Sequence, residues 1–448
     1  MINFGKSVNK VIIPELAEDL VFASLQDAYK NFFVEQDSNL LESLDYYYNQ
    51  NLDKHLEQWF ASDSLSQVPP FISSCVPRFA KARMMLYKEA PQRLIAGEIN
   101  EDYNNLTFKL NSKTREFAEL SWLLGKCWFK TIYNTKKERL EYEILPQVHE
   151  YFIEGEREPY GYSYEIESTE RNKRFVFWSE DRENVKGMHF EFDDRGHRFP
   201  VYGNEDMINP YGINPITKVD FNSNAYDVTR ASLHIAMAMT EIALGVRFKL
   251  GQPVFIGVEE GQSKLKSGVD NAIILPHEAS FKYESPDADL NELIEAVKLM
   301  ANTTAENHQL RIRWGESIGN APSGEALKIL EIENLESRKS DESLFREWEL
   351  ERYNVDKVIL ETHNKVILSD DYIVDFGEVS YPMSAKEERE WLDWKLSKGI
   401  MSQKELLLYF NPDMSEIEIE DKLNKISEEK RTQAELEKPQ SEFQRLLS

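Results

Sequence analysis

The feature that most constrains the fold is a long stretch without a helix-breaking residue. Neither glycine nor proline occurs between Gly324 and Gly377, and apolar side chains recur there at helical spacings. These side chains are Ala326, Leu327, Leu330, Leu335, Leu344, Trp348, Val355, Ile359 and Val366. The pattern predicts one helix of about 45 residues, which would be about 65 Å long and much longer than an average globular helix.

Helices of this length are found mainly in membranes, coiled coils and large assemblies. The charged run from Glu331 to Glu342 excludes a membrane span, and no other segment approaches about 18 consecutive apolar residues. The polar run from Glu336 to Ser343 interrupts the heptads that a two-stranded coiled coil needs. The sequence therefore predicts a helix that acts as a beam inside a larger structure.

The chain is long, apolar enough to fold, and strongly acidic. It has 448 residues, 41% of them hydrophobic, and a formal net charge of -26 at pH 7. An acidic surface does not hold DNA or an anionic membrane through its overall field. Because Cys75 and Cys127 are the only cysteines, we expect a reduced compartment. The N-terminus lacks the pattern of a signal peptide, so we expect the protein to act where it is made.

Periodicity predicts helices at both ends of the chain and strands between them. The expected N-terminal helices cover 15–36, 37–61, 76–87 and 113–125. Alternating apolar and polar residues from Cys127 to Phe221 predict an antiparallel β region. After Pro382, caps at Ser384, Ser402 and Ser415 predict three shorter helices.

Two further helices are expected on either side of a small β insert. The first is predicted to begin after a cap at Asn222 or Ser223 and to end at Gly245. Its stripe of alanine and methionine residues is typical of a core, or of a helix that packs against its copy in a neighbouring chain. The β insert follows, and the second helix is predicted to begin at Ser285 or Asp289.

Motifs for catalysis or cofactor binding are absent from the sequence. Gly315, Gly319 and Gly324 lack the spacing of a dinucleotide loop, and no phosphate-binding lysine follows them. His234, in an apolar helix, is expected to be a packed or interface histidine. We expect a protein that is not an enzyme and that binds no cofactor and no metal.

One acidic turn has a metal site as a second interpretation. Asp193, Asp194 and His197 provide carboxylate and imidazole groups, although the segment FDDRGHRF is read first as a strand, a turn and a second strand.

Four segments occur in a fixed order along the second half of the chain. They are NPYGINPITKVDF at 209–221, PSGEALK at 322–328, DFGEVSYP at 375–382 and GIMSQKEL at 399–406. Together they resemble the portal proteins of tailed double-stranded DNA bacteriophages. The first is similar to the turn and strand that close the wing in this family, and the second to the start of its long helix. The third and fourth resemble the following strand and the turn before the closing helices.

The resemblance implies an α+β protomer made of seven parts. They are a helical and β wing (1–222), a stem helix (223–247), a small β clip (248–286), a second stem helix (287–310), a tunnel loop (311–323), a very long helix with a wing strand (324–383) and a helical crown (384–448). Family members form a ring, dodecameric in the virion, at one capsid vertex. Genomic DNA enters and leaves through the ring, and the ATPase that drives packaging belongs to the terminase.

The resemblance also implies partners and contact residues. The expected partners are other copies of the chain, the terminase large subunit, a head–tail adaptor, the major capsid protein, a scaffolding protein and non-specifically bound double-stranded DNA, with no membrane. The expected location is the virion, after assembly in the host cytoplasm. The tunnel loop would bring Arg311, Arg313, Trp314, Gly315, Glu316, Ser317, Gly319 and Asn320 to the DNA channel. The clip would offer Glu259, Glu260, Lys264 and Lys266 to the terminase or adaptor.

The acidic charge is consistent with a DNA conduit, because a ring of such chains repels the DNA that it conducts. Two other functions remain open at this point. One is a metal-dependent hydrolase or nuclease that uses Asp193 or Asp194. The other is a structural scaffold that assembles through the long helix.

Overall fold

The computed structural model describes residues 10–13, 21, 23, 38–60, 65, 69–168, 173–182, 185–193, 195–248, 252–256, 280–284, 290–311, 332–364, 366–377, 385–411, 414, 418–429 and 431–432. Two units are present: Met1–Glu316 with Glu331–Val379, and Ser317–Leu330 with Ser380–Ser448. Helices and several separate sheets occur together, so the expected α+β class is confirmed.

The first unit begins with short helices around a small sheet. Its elements are β1 (Lys10–Ile13), α1 (Ser38–Tyr48), α2 (Leu52–Glu57), α3 (Val76–Arg83), a 3-10 turn (Met85–Tyr87), β2 (Gln92–Ile95), β3 (Glu98–Ile99), α4 (Glu101–Leu106) and α5 (Leu110–Leu124). The prediction of one helix over 37–61 is wrong. Asn49 and Asn51 adopt left-handed φ values of 54° and 52° and separate α1 from α2. The helix predicted at 15–36 lies almost entirely outside the described residues.

The predicted antiparallel β region is confirmed. It contains β4 (Lys126–Asn134), β5 (Arg139–Leu145), β6 (His149–Ile153), β7 (Gly161–Ser168), β8 (Lys173–Ser179), β9 (His189–Asp193), β10 (Arg198–Pro200) and β11 (Ile216–Asp220). One sheet has the order β11-β4-β5 and the other the order β1-β6-β7-β8-β9-β10. The exception is β1, which pairs with β6 in parallel, with Lys10 opposite Glu150.

A helix, a β-hairpin and a second helix follow. They are α6 (Tyr226–Phe248), β12 (Gln252–Ile256), β13 (Ser280–Glu284) and α7 (Leu290–Asn307), and the two strands pair antiparallel with Gln252 opposite Glu284. Both predicted ends of α6 are wrong. The side chain that accepts from the Tyr226 amide is that of Asn224, at 3.4 Å, and the helix continues past Gly245. A glycine weakens a helix but ends it only where the chain turns away.

The long helix is α8 (Ile332–Asn364), and its 33 residues span about 50 Å. Its predicted continuation to Val366 is wrong, because the chain leaves the helix after Asn364 and returns as β14 (Tyr372–Asp375). β14 pairs antiparallel with β2, so this strand joins the end of the long helix to the small N-terminal sheet. α8 packs against β4, β11, β14 and the 3-10 turn, and it buries Phe345, Trp348 and Ile359. The predicted beam is therefore a core element of the first unit.

The second unit is helical in its described part. It contains α9 (Ala385–Ser397), α10 (Gln403–Phe410) and a helical stretch at 418–429. The predicted cap at Ser402 is confirmed, because its side chain and that of Glu405 form a reciprocal capping box. The predicted stop at Gly399 is also confirmed, with a left-handed φ of 67°. The predicted caps Ser384 and Ser415 lie outside the described residues.

Candidate functional site

The candidate functional site is the helix pair α6 and α7, together with the chain that leaves it. Of the residues predicted from the sequence to face DNA or partners, only Arg311 lies within the described part of the chain. The residues predicted for the rest of the tunnel loop and for the clip lie outside it. These are Arg313, Trp314, Gly315, Glu316, Ser317, Gly319, Asn320, Glu259, Glu260, Lys264 and Lys266.

Arg311 is exposed and lines a cavity of about 620 Å³ at the C-terminal end of α7. The other lining residues are Asn302, Glu306, Leu310 and Glu333. Glu333 belongs to the first turn of α8, so the chain departs from α7 and re-enters at α8 on the walls of one cavity. Arg311 and Glu333, on either side of residues 312–331, therefore line the same cavity of the first unit.

The two helices run antiparallel, and a hydrogen bond joins them at this end. The imidazole Nε2 of His308, just after α7, lies 2.9 Å from a carboxylate oxygen of Asp227 in the first turn of α6. The ring of Trp122 contacts that of His308 edge-on. Burial alone would raise the pKa of Asp227. Its interactions with His308 outweigh burial, so the pKa of Asp227 lies below its usual value. The contact thus holds the start of α6 against the end of α7.

Hydrogen bonds from one N-terminal segment fix α6 in place. The amides of Phe71 and Cys75 donate to the side chains of Thr240 and Ser232, at 2.9 and 3.0 Å. These contacts hold residues 71–75 along α6.

A glycine fixes the approach to the helix. Gly125 has a φ of 78°, and a Cβ there would lie 2.7 Å from the Ser223 carbonyl oxygen. The Phe221 amide donates to the Gly125 carbonyl at 2.7 Å. The chain therefore enters α6 along a path that only glycine at position 125 permits.

The outer surface of the helix pair is apolar in places and acidic in others. Leu299 of α7 is 68% exposed and Val246 of α6 is 55% exposed. The predicted stripe in α6 is half-buried at Met237, Met239 and Ile242. His234 is exposed in the chain, so its predicted packing within the fold is wrong, whereas an interface role stays a prediction. The charged residues of α7 are Glu292, Glu295, Glu306 and Lys298.

A buried ionic cluster joins α8 to elements of the N-terminal half of the chain. The sequence did not predict it. We call Arg93, Glu349, Arg352 and Asp356 the Arg352 network. Arg93 donates to both carboxylate oxygens of Glu349, at 3.0 and 2.6 Å. Arg352 donates to Glu349 at 2.8 Å and also to Asp356. The network is formally neutral, with Glu349, Arg352 and Asp356 at 0% exposure and Arg93 at 7%.

Hydroxyl groups from the surrounding wing complete this network. Tyr87 and Tyr372 each donate to Glu349 at 3.0 Å. Tyr103, Tyr142 and Thr131 donate to Asp356, at 2.7, 2.9 and 2.9 Å. Burial raises the pKa of Glu349, but Arg93 and Arg352 outweigh burial and lower it to about 2. Every carboxylate of the network is therefore surrounded by donors.

A sequence signal for this network exists. Glu349, Arg352 and Asp356 follow one another at spacings of three and four, which places them on one face of a helix. Trp348 and Ile359 extend the same buried side, so charges and apolar residues share one face. That combination indicates buried charges with partners elsewhere in the chain.

The acidic turn behaves as the strand, turn and strand predicted from the sequence. One carboxylate oxygen of Asp193 accepts from the amides of Arg195 and His197, at 3.0 and 2.8 Å. The other lies 2.9 Å from His197 Nδ1. These contacts close the turn between β9 and β10, and Asp194 lies outside the described residues. Within the described ranges, no group of three His, Cys, Asp or Glu side chains is arranged to hold a metal ion.

Comparisons with known proteins give no assignment. The sequence matches no model of a protein family, and a search of curated proteins gives no match either. Among the helices in the described part of the chain, none is long and apolar enough to cross a membrane.

Proposed function

We propose that this protein is a bacteriophage portal protein, one subunit of a ring at a capsid vertex through which double-stranded DNA is packaged and ejected. The order of its parts carries the proposal. Two antiparallel helices with an antiparallel strand pair between them in the chain precede a long core helix, and the end of the second helix and the start of the long helix line one cavity. This order supports the proposal because the sequence resemblance implies a stem, a clip, a tunnel loop and a long helix in the same succession.

The electrostatics of the chain also support a conduit. Each chain has a formal net charge of -26, and α7 contributes Glu292, Glu295 and Glu306 against a single lysine. A ring of such chains repels phosphates and does not retain DNA through the release of counterions. The proposal includes the terminase large subunit, a head–tail adaptor, the major capsid protein and a scaffolding protein as partners. It assigns no catalytic step to this chain.

A pair of matched variants separates this proposal from a scaffold that assembles through the long helix. Leu299 lies on α7 and is 68% exposed, whereas Leu350 lies on α8 and is 43% exposed. If the helix pair forms subunit contacts, Leu299→Asp will disrupt the ring and Leu350→Asp will leave it intact. Native mass spectrometry of each full-length variant measures the assembly, and circular dichroism checks that both are folded.

The opposite result, with Leu350→Asp alone disrupting assembly, would support the scaffold. A protein whose wild-type form stays monomeric across salt concentrations would contradict both.

A further inference from the structure

The Arg352 network acts along the axis of the long helix. Its members on α8 occupy positions 349, 352 and 356, and their partners come from β2, β4, β5, β14, α4 and the 3-10 turn. Apolar side chains on a helix form similar ridges at every turn, so packing alone distinguishes poorly between positions one turn apart. Charges of alternating sign do distinguish them, because each requires its own partner.

A displacement of α8 by one turn would break this pattern in either direction. If each site received the residue four positions later, Tyr353 would replace Glu349 and Asp356 would replace Arg352. If each site received the residue four positions earlier, Phe345 would replace Glu349 and Arg352 would replace Asp356. In both cases the buried guanidinium of Arg93 loses its carboxylate partner, which is strongly unfavourable for a charge held away from solvent.

We propose that the Arg352 network is a register lock, which fixes the axial position of the long helix against the wing. The lock selects one axial position of α8, while apolar contacts supply most of the stability of the fold. Buried ion pairs can often be replaced by apolar residues of similar volume with no loss of stability, whereas removal of one partner is strongly destabilising. This inference concerns the first unit alone and does not depend on the proposed function.

A pair of residues outside the lock reports the position of the helix. Lys357 of α8 forms an ion pair with Asp370, which lies on the segment that leads into β14. Next to them, the Tyr353 hydroxyl donates to the Ser369 carbonyl at 2.6 Å. Glu361 lies one turn further along α8 and is exposed. The pair K357C/D370C therefore reports the observed register, and the pair E361C/D370C reports a register shifted by one turn.

The experiment treats each cysteine pair with a short bis-maleimide and identifies the linked peptides by mass spectrometry. The native thiols interfere little, because burial raises the pKa of both Cys75 and Cys127 and disfavours the reactive thiolates. With the lock intact, only the K357C/D370C pair should cross-link. A control, R346M/E342M, removes an exposed ion pair from the same helix and should not alter this result.

Two neutral variants remove the lock to different extents. The smaller, R93M/E349M/Y87F, removes one charge pair and one of the two hydroxyls that donate to Glu349. The larger also carries R352M, D356L, Y103F, Y142F, Y372F and T131V, so that no member or hydroxyl partner remains. We expect the larger variant to melt within about 5 °C of the parent. We also expect its shifted cross-link to rise at least about tenfold, and the native cross-link to fall.

The smaller variant keeps the proposal testable if the larger one does not fold. It should show a measurable shifted cross-link and a melting temperature close to that of the parent. A folded neutral variant that cross-links only in the native register would overturn the lock. A smaller variant with a large fall in melting temperature and an unchanged register would also overturn it, because the network would then serve stability alone.

Discussion

Arg352 links both carboxylates of the buried network and also donates to the hydroxyls of Tyr103 and Tyr372, at 2.9 and 3.0 Å. Replacing it with methionine leaves Glu349 with Arg93 alone and leaves Asp356 buried without a guanidinium partner. We expect Arg352→Met to lower the free energy of unfolding by about 3–5 kcal/mol. Arg346→Met is the matched control, because its ion pair with Glu342 is exposed, and it should change stability by less than about 0.5 kcal/mol. Urea denaturation measures both, and equal effects would contradict the assignment.

A half-buried histidine, His189, makes stability depend on pH. The ring of His189 stacks on Trp178 with centroids 3.4 Å apart, and burial, with a smaller contribution from Lys130, lowers the pKa of His189 to about 3. The unfolded chain binds a proton below its usual pKa of 6.5, while the folded chain does not. The contribution of His189 is therefore complete above pH 6.5 and is lost as the pH falls toward 3.

Between pH 6.5 and 5, this single group should cost about 2 kcal/mol of stability. His189→Asn should remove that part of the pH dependence. The pH dependence that comes from His149, whose pKa burial lowers to about 4, should remain in the variant. Urea denaturation at pH 7.5 and 5.0 provides the comparison. An identical loss of stability in the wild type and the variant would show that His189 does not titrate in this way.

Local signals at single residues were predictable from sequence, and distant pairings were not. The cap at Ser402 and the stop at Gly399 depend on neighbours within a few residues. Glu349, by contrast, finds Arg93 at a separation of 256 residues. Its burial depends on β2 and β14 arriving at the same face of α8, which no local pattern specifies.

At the scale of elements, the junction before α6 requires a glycine both for its left-handed φ and for lack of space. Gly125 and Gly155 both have left-handed φ values, of 78° and 88°, so an alanine at either carries backbone strain. Only Gly125 is also crowded, by the Ser223 backbone at 2.7 Å, whereas a Cβ at Gly155 meets nothing within 4 Å. We expect Gly155→Ala to cost about 1 kcal/mol and Gly125→Ala about 3 kcal/mol or more. Thermal unfolding of the two variants tests this order, and a similar cost for both would contradict it.

The long helix shows that helical periodicity predicts the existence of a helix better than its end. The absence of glycine and proline correctly predicted a long helix, but its end at Asn364 was missed. The helical spacing of apolar residues continues to Val366, yet tertiary contacts turn the chain back. Tyr353 stacks on Tyr372 with ring centroids 4.1 Å apart, and Arg338 donates to the carbonyls of Phe376 and Gly377. The returning segment therefore lies along the helix that precedes it.

At the scale of the whole molecule, sequence predicted the α+β class and the succession of helix, β-hairpin, helix and long helix. It did not predict that the beam is buried in its own chain, because the length of the helix indicated a larger structure. Thirteen residues of α8 are buried, and several of them are polar, including Asn334, Ser337 and Asp341. Of the predicted DNA-facing residues, only Arg311 can be located, on a cavity wall beside the start of α8.

We propose that copies of this chain close into a ring around a channel. Negative-stain electron microscopy of the purified full-length protein shows directly whether such rings form. We expect class averages of rings with a central hole and cyclic symmetry near twelvefold. Uniform monomers or dimers at every salt concentration, or filaments without a channel, would contradict it.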